Sequence, residues 1–199
     1  DVNRADNVNK NPERVKRLMR SFARAQGSQT PISVIADDIS ANEGSSLSDD
    51  SVARYIEALK KIFVIEDMPA WNVNLRSKTA IRTSDTRYYT DPSIAAAMLG
   101  LGPKDLIADL YTFGFLFETL AVRDLRVYAD SLGGGVYHYR DKDGLECDAV
   151  IHLRNGAYGL VEIKLGGDQL IEDGVASLNT SAAQIDTPNT PAPSFPPAV

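Results

Sequence analysis

The chain has 199 residues, of which 43% are hydrophobic and 24% are charged, a balance typical of globular proteins. This composition excludes wholesale disorder, collagen-like repeats and coiled-coil fibres, and the single cysteine, Cys147, excludes a fold built on disulfides. No apolar stretch approaches the roughly 18 residues of a membrane span, and the polar first residues lack a secretory signal. We therefore expect a cytoplasmic protein without a membrane partner, and the missing initial Met suggests part of a longer chain.

Charge is unevenly distributed along the sequence. Residues 1–90 carry 14 basic and 12 acidic side chains, whereas residues 91–199 carry 7 basic and 15 acidic ones. The asymmetry favours two units with different roles. An acidic second unit could gather carboxylates around a cation.

Three helices are predicted in the first half. Pro12 suits the first turn of a helix, and Gly27 follows the last apolar residue of its pattern. A second, shorter helix is predicted over residues 33–40. Ser48 has the side chain of a helix cap, so a third helix is predicted to begin after it.

A short hairpin is predicted after these helices. Residues 63–65 are strand-like, residues 72–86 form a polar stretch, and residues 88–89 read as a returning strand. Three helices followed by a hairpin is the order of a winged helix-turn-helix domain. We predict this domain over residues 12–90.

The winged domain offers two candidate DNA-binding elements, its third helix and its wing. The third helix exposes Arg54 and Lys60. Its N-terminal end is acidic because of Asp49 and Asp50, whereas helices that read duplex DNA normally carry cationic residues at this end. A role in protein contact or domain coupling is the alternative to groove reading. A basic wing is the second DNA hypothesis, with a solvated loop as its alternative, and its cations are Arg76, Lys78, Arg82 and Arg87.

The Asp91-Pro92 turn is the predicted domain boundary. The second half is then predicted to contain a helix over 93–99, further helices to Gly133, a strand over 136–140 and a helix over 168–178. Residues 186–199 hold five prolines between Pro188 and Pro197, and their composition is typical of a loose tail.

The hairpin over residues 147–153 and 157–165 is the most informative stretch. Apolar residues occupy the odd positions of both segments, so these positions predict a shared buried face. A three-residue loop ending at Gly156 keeps the two apolar sets on one face and supplies the left-handed position of such loops. In this register Asp148 lies opposite Glu162.

Acidic and basic side chains therefore converge on the even face. Asp148 and Glu162 offer the carboxylate oxygens that Mg²⁺ prefers, and Lys164 follows on the same face. A cation held there would polarise a phosphodiester and activate water. Glu118, beside an apolar helical stripe, is the candidate third acid. The alternative is a solvated cross-strand ion pair worth roughly 0.2–1 kcal/mol.

Several stretches also carry a family resemblance over residues 50–178. The order of helix Glu, strand Asp and strand Glu-x-Lys resembles the PD-(D/E)XK nuclease-like superfamily. A narrower resemblance lies in the stretches RYIEALKKIFVIEDMPAWN, DPSIAAAMLGLGP, FGFLFETLAVRDLRVYA, YHYRDKDGLECDAVIHL and GLVEIKLGG. Through them the chain resembles the C-terminal region of a family of prokaryotic AAA-type ATPases, in which a winged helix precedes an uncharacterised restriction-endonuclease-like domain.

The resemblance implies roles for four residues. Glu118 matches the helix acid of the superfamily, Asp148 its metal-binding aspartate, and Glu162 with Lys164 its Glu-x-Lys pair. The sequence departs from the family in two ways. It has no phosphate-binding loop, so ATP would bind only to an upstream domain absent from this chain. Pro196-Pro197 interrupt the stretch where the family continues into a further strand, so the last strand could be missing.

These observations predict an α/β (α+β) chain with two domains and a tail. A winged helix-turn-helix domain (12–90) precedes a restriction-endonuclease-like mixed sheet flanked by helices (91–185). The expected function is that of an accessory region of an AAA-type ATPase, with a nuclease-like site that uses Mg²⁺ or Mn²⁺. The expected partners are DNA and the upstream ATPase domain; the sequence leaves the oligomeric state open. The alternative is a non-catalytic module that binds protein or nucleic acid.

Overall fold

The computed structural model describes residues 11–44, 46–72, 84–140, 144–185, 192–194 and 198–199. Within these ranges the fold mixes seven helices with one antiparallel sheet of three strands, which confirms the predicted α+β class. The helices are α1 (Pro12–Ala25), α2 (Ile32–Asn42), α3 (Asp49–Lys61), α4 (Pro92–Leu99), α5 (Pro103–Ala108), α6 (Leu110–Ser131) and α7 (Asp168–Ile185). The strands are β1 (Gly134–Arg140), β2 (Glu146–Leu153) and β3 (Tyr158–Val161).

The chain divides into two compact units. The first comprises Asp1–Asp67 and Thr86–Thr119, and the second comprises Met68–Asp85 and Leu120–Val199. The division passes through α6 and through the segment before Thr86, whereas the sequence suggested one boundary at residue 91. The domain limits 12–90 and 91–185 stay predictions.

The first unit is built around α1, as its apolar spacing predicts. Pro12 occupies the start of this helix, and the Asn11 side chain accepts the Glu13 N–H at 2.9 Å. Leu18 and Phe22 are fully buried, because they lie on one face of the helix and pack against apolar residues of α2 and α3. The residues buried from those two helices are Ile35, Ala36, Ile39, Val52, Ile56 and Leu59.

The third helix has clear signals at both ends. Ser48 is its N-cap and accepts the Ser51 N–H, as predicted. At the other end Phe63 adopts a left-handed backbone with φ of 56°, and the Val64 N–H donates to Leu59 O at 3.0 Å. This arrangement terminates the helix by satisfying its last carbonyls.

Among the described residues, the predicted hairpin of the first unit is present as isolated β-bridges. Ile65 pairs with Tyr89 in antiparallel fashion, and Ser28 pairs with Arg87. The strands predicted at residues 63–65 and 88–89 therefore exist as single paired positions. Residues 73–83, which include most of the predicted wing, lie outside the described residues.

The sheet of the second unit has the order β1-β2-β3. Ala149 pairs with Val161 and His152 with Tyr158, which is the register that the hydrophobic pattern predicted. Gly156 has a φ of 87° in the connecting loop, where the prediction required a left-handed residue. The loop and the register of this hairpin are confirmed.

A β-bulge lies beside the candidate site. Tyr137 of β1 pairs with Val150, but Tyr139 pairs with Cys147, so Asp148 and Ala149 together oppose His138. Bulges re-aim side chains and often occur next to functional sites. The bulge also explains why Cys147, at an odd position, joins the same apolar cluster as Val150, at an even position.

The prediction that the odd positions alone form the buried face is wrong. Val150, Tyr158 and Leu160 occupy even positions and are buried with Trp71 and Leu178. They are covered because α7 packs on β2 and β3. Asp148 and Glu162 consequently lie at the end of a buried face rather than on an open one.

Short segments pair with both edges of the sheet. Ala70 forms a parallel bridge with His138 of β1, and Ala198 forms a parallel bridge with Val161 of β3. The helix predicted over 168–178 runs on to Ile185 as α7. The prediction of a loose tail is wrong at Ala198, because this residue keeps its own N–H and can pair although Pro196-Pro197 precede it. Residues 141–143, 186–191 and 195–197 lie outside the described residues.

Candidate functional site

Asp148, Glu162 and Lys164 meet at the end of the β2-β3 hairpin. Lys164 Nζ lies 2.6 Å from Glu162 Oε1 and 3.8 Å from Asp148 Oδ2. The Ile163 N–H donates to Asp148 Oδ2 at 2.7 Å. The side chains of the three residues therefore project together, and the backbone of the segment between Glu162 and Lys164 holds the aspartate in place.

The Glu162 carboxylate is the most buried of these groups. Its side chain is 9% exposed, against 25% for Asp148 and 31% for Lys164. Oε1 accepts from Lys164, whereas Oε2 is buried and has no hydrogen-bond partner among the described residues. Because an unpaired buried carboxylate oxygen is costly, Oε2 could accept from a donor or bind a cation.

The surroundings of Asp148 disfavour its ionised form. Burial is the main cause and the nearby Glu162 carboxylate adds repulsion, so the pKa of Asp148 rises to about 6. The Ile163 N–H and Lys164 oppose this rise. Perturbed carboxyl groups of this kind are common at functional sites.

These residues fit a Mg²⁺ ion. Mg²⁺ is commonly held in proteins by one or two carboxylates and completes its shell with water and substrate phosphate. Asp148 and Glu162 supply two carboxylates, and no hydrogen bond within the described part of the chain satisfies Glu162 Oε2. Nothing in this donor set favours a softer metal, since carboxylate oxygens suit Mg²⁺ and Mn²⁺.

Glu118 lies in the first compact unit, whereas the other three residues lie in the second. Its carboxylate accepts a short hydrogen bond from the Tyr88 hydroxyl. Among the described residues, no group of three or more His, Cys, Asp or Glu side chains is arranged to hold a metal. The structure thus joins Asp148, Glu162 and Lys164 directly and gives Glu118 a separate partner.

Cys147 lies next to the site without taking part in its chemistry. The thiol is buried and its pKa rises to about 12, chiefly because burial disfavours the thiolate. Since the thiolate is the reactive form, this cysteine is a core residue, as the sequence predicted.

Sequence reasoning missed the backbone contribution to the site. The Ile163 amide bonds Asp148, and the Glu162 amide donates to Ala198 O at 3.0 Å. Side-chain patterns carry no signal for such contacts.

Lys60 of α3 and Arg87 are engaged in ion pairs. Lys60 Nζ lies 3.1 Å from Glu57 and 2.9 Å from Asp67, and Arg87 lies 3.5 Å from the same Asp67 oxygen. These internal pairs leave less positive charge for phosphates. Arg76, Lys78 and Arg82 of the predicted wing lie outside the described residues.

Comparisons with known proteins define the family. Residues 1–105 match the family described as Domain of unknown function (DUF8612), and residues 113–191 match Domain of unknown function (DUF4143). Because the first match spans more than half of the chain, the chain belongs to the DUF8612 family. The second domain commonly occurs in proteins associated with AAA-type ATPases. No curated protein and no solved structure matches.

None of the helices in the described ranges is both long and apolar enough to cross a membrane.

Proposed function

We propose that the second unit carries a phosphodiesterase site dependent on a divalent cation and built on a nuclease-like fold. The observation that supports it is the convergence of Asp148, Glu162 and Lys164, in which Glu162 Oε2 is buried and has no partner in the described ranges. In the first unit, three helices are followed by bridged segments. This order of elements supports a winged helix-turn-helix domain that accompanies the site.

Each residue has a distinct role in this proposal. Asp148 and Glu162 would hold the cation. Held by these carboxylates, a divalent cation would supply Lewis-acid chemistry toward the phosphodiester and the attacking water. Lys164 would orient the attacking water and offset the negative charge that develops on phosphorus.

Cation binding is the first test. Mg²⁺ or Mn²⁺ at millimolar concentration should raise the thermal midpoint of the wild-type chain, because a ligand that binds only the native state stabilises it. Asp148→Ala should abolish this shift. Glu146→Ala is the matched control, since Glu146 lies on the same strand with a side chain that is 59% exposed. Equal shifts in both variants would reject the site.

Phosphodiester cleavage is the second test. Supercoiled and single-stranded DNA, incubated with the protein and Mg²⁺ or Mn²⁺, should be cut by the wild type and by Glu146→Ala. Asp148→Ala and Lys164→Ala should leave the DNA intact. If the wild type and Asp148→Ala gave the same electrophoretic pattern of DNA, any cleavage would not depend on the proposed site.

A non-catalytic role is the second candidate function. Lys164 already neutralises Glu162 at 2.6 Å, and Glu118 is engaged by Tyr88. These pairs favour a module that uses the nuclease-like fold to bind protein or nucleic acid. In either case we propose that the chain acts beside an upstream ATPase domain of the same gene product.

A further inference from the structure

The backbone of Glu162 is paired to the C-terminal segment, which we define as Ala198 and Val199. The Glu162 N–H donates to Ala198 O at 3.0 Å, and the Ala198 N–H donates to Leu160 O at 3.2 Å. These two bonds flank Val161, with which Ala198 forms the parallel bridge. The segment therefore fixes the main chain on both sides of Val161 and orients the residue that carries the buried carboxylate.

The side chain of Val199 also belongs to this arrangement. A methyl group placed on Gly174 of α7 would lie 3.0 Å from Val199 Cγ1 and 3.5 Å from Glu162 Cγ. Gly174 thus leaves room next to α7 for Val199 Cγ1 and for the Cγ methylene of Glu162, both of which lie close to it.

We infer that the C-terminal segment is a positioning element for Glu162. By pairing with the main chain of Glu162 and placing Val199 next to Gly174, as Glu162 Cγ is, the segment holds the carboxylate against Lys164 and beside Asp148. The inference rests on the proposed function in that the group it positions is the proposed cation ligand. The contact itself, however, can be measured without any cation.

The first experiment removes one bond of the segment. Ala198→Pro deletes the N–H that donates to Leu160 O, whereas Ala192→Pro introduces proline at an exposed alanine that also follows a proline. In the cation-free chain, hydrogen exchange at the Glu162 amide should become severalfold faster in Ala198→Pro and stay unchanged in Ala192→Pro. Unchanged exchange in Ala198→Pro would overturn the inference.

The second experiment measures the position of the carboxylate. Acylation of Lys164, mapped by mass spectrometry, should accelerate in Ala198→Pro because the amine loses its fixed partner. Mn²⁺ affinity, followed by electron paramagnetic resonance, should fall about tenfold, as is common when a residue that orients a metal ligand is changed. Faster amide exchange with unchanged Lys164 acylation would show that the segment packs without positioning, and would overturn the inference.

A second variant covers the case in which Ala198→Pro does not fold. Gly174→Ala pushes on Val199 and Glu162, whereas Gly114→Ala, also in a helix, meets nothing within 4 Å. Faster Lys164 acylation in Gly174→Ala alone supports the inference, and equal rates in the two variants overturn it. If the wild type binds no Mn²⁺, the proposed function fails, but the Lys164 measurement still decides whether Glu162 is positioned by the segment.

Discussion

At the scale of single residues, the ionisation of Asp148 links the candidate site to stability. The folded chain raises the pKa of this carboxyl from 3.8 to about 6. Between these two values the folded state binds the proton that the unfolded state has released. Stability that is present below pH 4 is therefore lost as the pH rises through 6, and the loss amounts to about 3 kcal/mol.

Asp148→Asn should remove this pH dependence. The amide cannot ionise and its oxygen can still accept the Ile163 N–H, so the variant should exceed the wild type in stability at pH 8 by up to about 3 kcal/mol. Urea unfolding at pH 4 and pH 8 measures the difference. Glu172→Gln, at an exposed acid of α7, is the control and should follow the wild type. The predicted direction of the pH dependence would be wrong if the stability of the wild type rose between pH 4 and pH 7 and this rise were absent in Asp148→Asn.

Phe63 is a second residue whose local geometry has an energetic consequence. It ends α3 in a left-handed backbone conformation, yet its side chain is 82% exposed. Residues with a Cβ are strained in this conformation, and glycine is not. The ring makes little contact in the described structure that could offset this strain.

Phe63→Gly should therefore stabilise the chain by about 1 kcal/mol. Phe63→Ala is the matched control, because it removes the ring but keeps the Cβ and the strain. Denaturant midpoints of the three proteins give the comparison. A destabilised Phe63→Gly would mean that the phenyl ring, rather than the backbone, decides the stability of this turn.

At the scale of elements, α7 packs on β2 and β3, the two strands of the hairpin that ends at the candidate site. Leu178 is fully buried in the cluster that contains Val150 and Leu160, whereas Leu170 of the same helix is 44% exposed. Val150 lies two residues after Asp148 in β2, and Leu160 lies two residues before Glu162. The packing of α7 therefore determines whether the hairpin presents those acids together.

Leu178→Ala should cost roughly 2–5 kcal/mol, because it leaves a cavity between the helix and the sheet. Leu170→Ala should cost much less. Fluorescence of Trp71, the single tryptophan, reports on this cluster and can follow unfolding of both variants. Equal losses of stability would indicate that α7 is anchored at Leu170 and not through the buried cluster.

At the scale of the whole molecule, the distribution of charge limits how nucleic acid can bind. The net charge is −6, and residues 91–199 carry 15 acidic against 7 basic side chains. A surface of this sign repels phosphates unless cations intervene. The ion pairs of Lys60 and Arg87 remove further positive charge from the first unit.

DNA binding should therefore be weak in the absence of divalent cations and should strengthen when Mn²⁺ or Mg²⁺ is added. Fluorescence anisotropy with a labelled duplex, at constant ionic strength, measures this effect. Asp148→Ala should lose the cation-dependent part, and Glu146→Ala should keep it. Tight binding without any divalent cation would place the DNA contacts outside the residues proposed here.

Much of the local structure could be predicted from local signals. Pro12 and Ser48 begin helices as predicted because their effects depend on only a few neighbouring residues. The β2-β3 register could be predicted because a one-residue slip would invert every side chain. The shared location of Asp148, Glu162 and Lys164 follows directly from that register.

Other features depended on contacts between distant parts of the chain. The even face of the hairpin is buried because α7 covers it, and no alternation pattern reports where a later helix will pack. Ala198 pairs with β3 although the surrounding composition is typical of a tail. The placement of Glu118 beside Tyr88 likewise required the tertiary structure, since the two residues are 30 positions apart.

The amino-acid sequence alone determined the helix starts, the hairpin register and the convergence of two acids and a lysine, because these follow from steric and hydrophobic preferences within short segments. The tertiary structure decided how deeply the acids are buried, which oxygen of Glu162 finds no partner in the part of the chain that the structure describes, and which main-chain groups orient the two acids. Those properties arise from packing and desolvation, which depend on every element around the site and not on the segments that carry the residues.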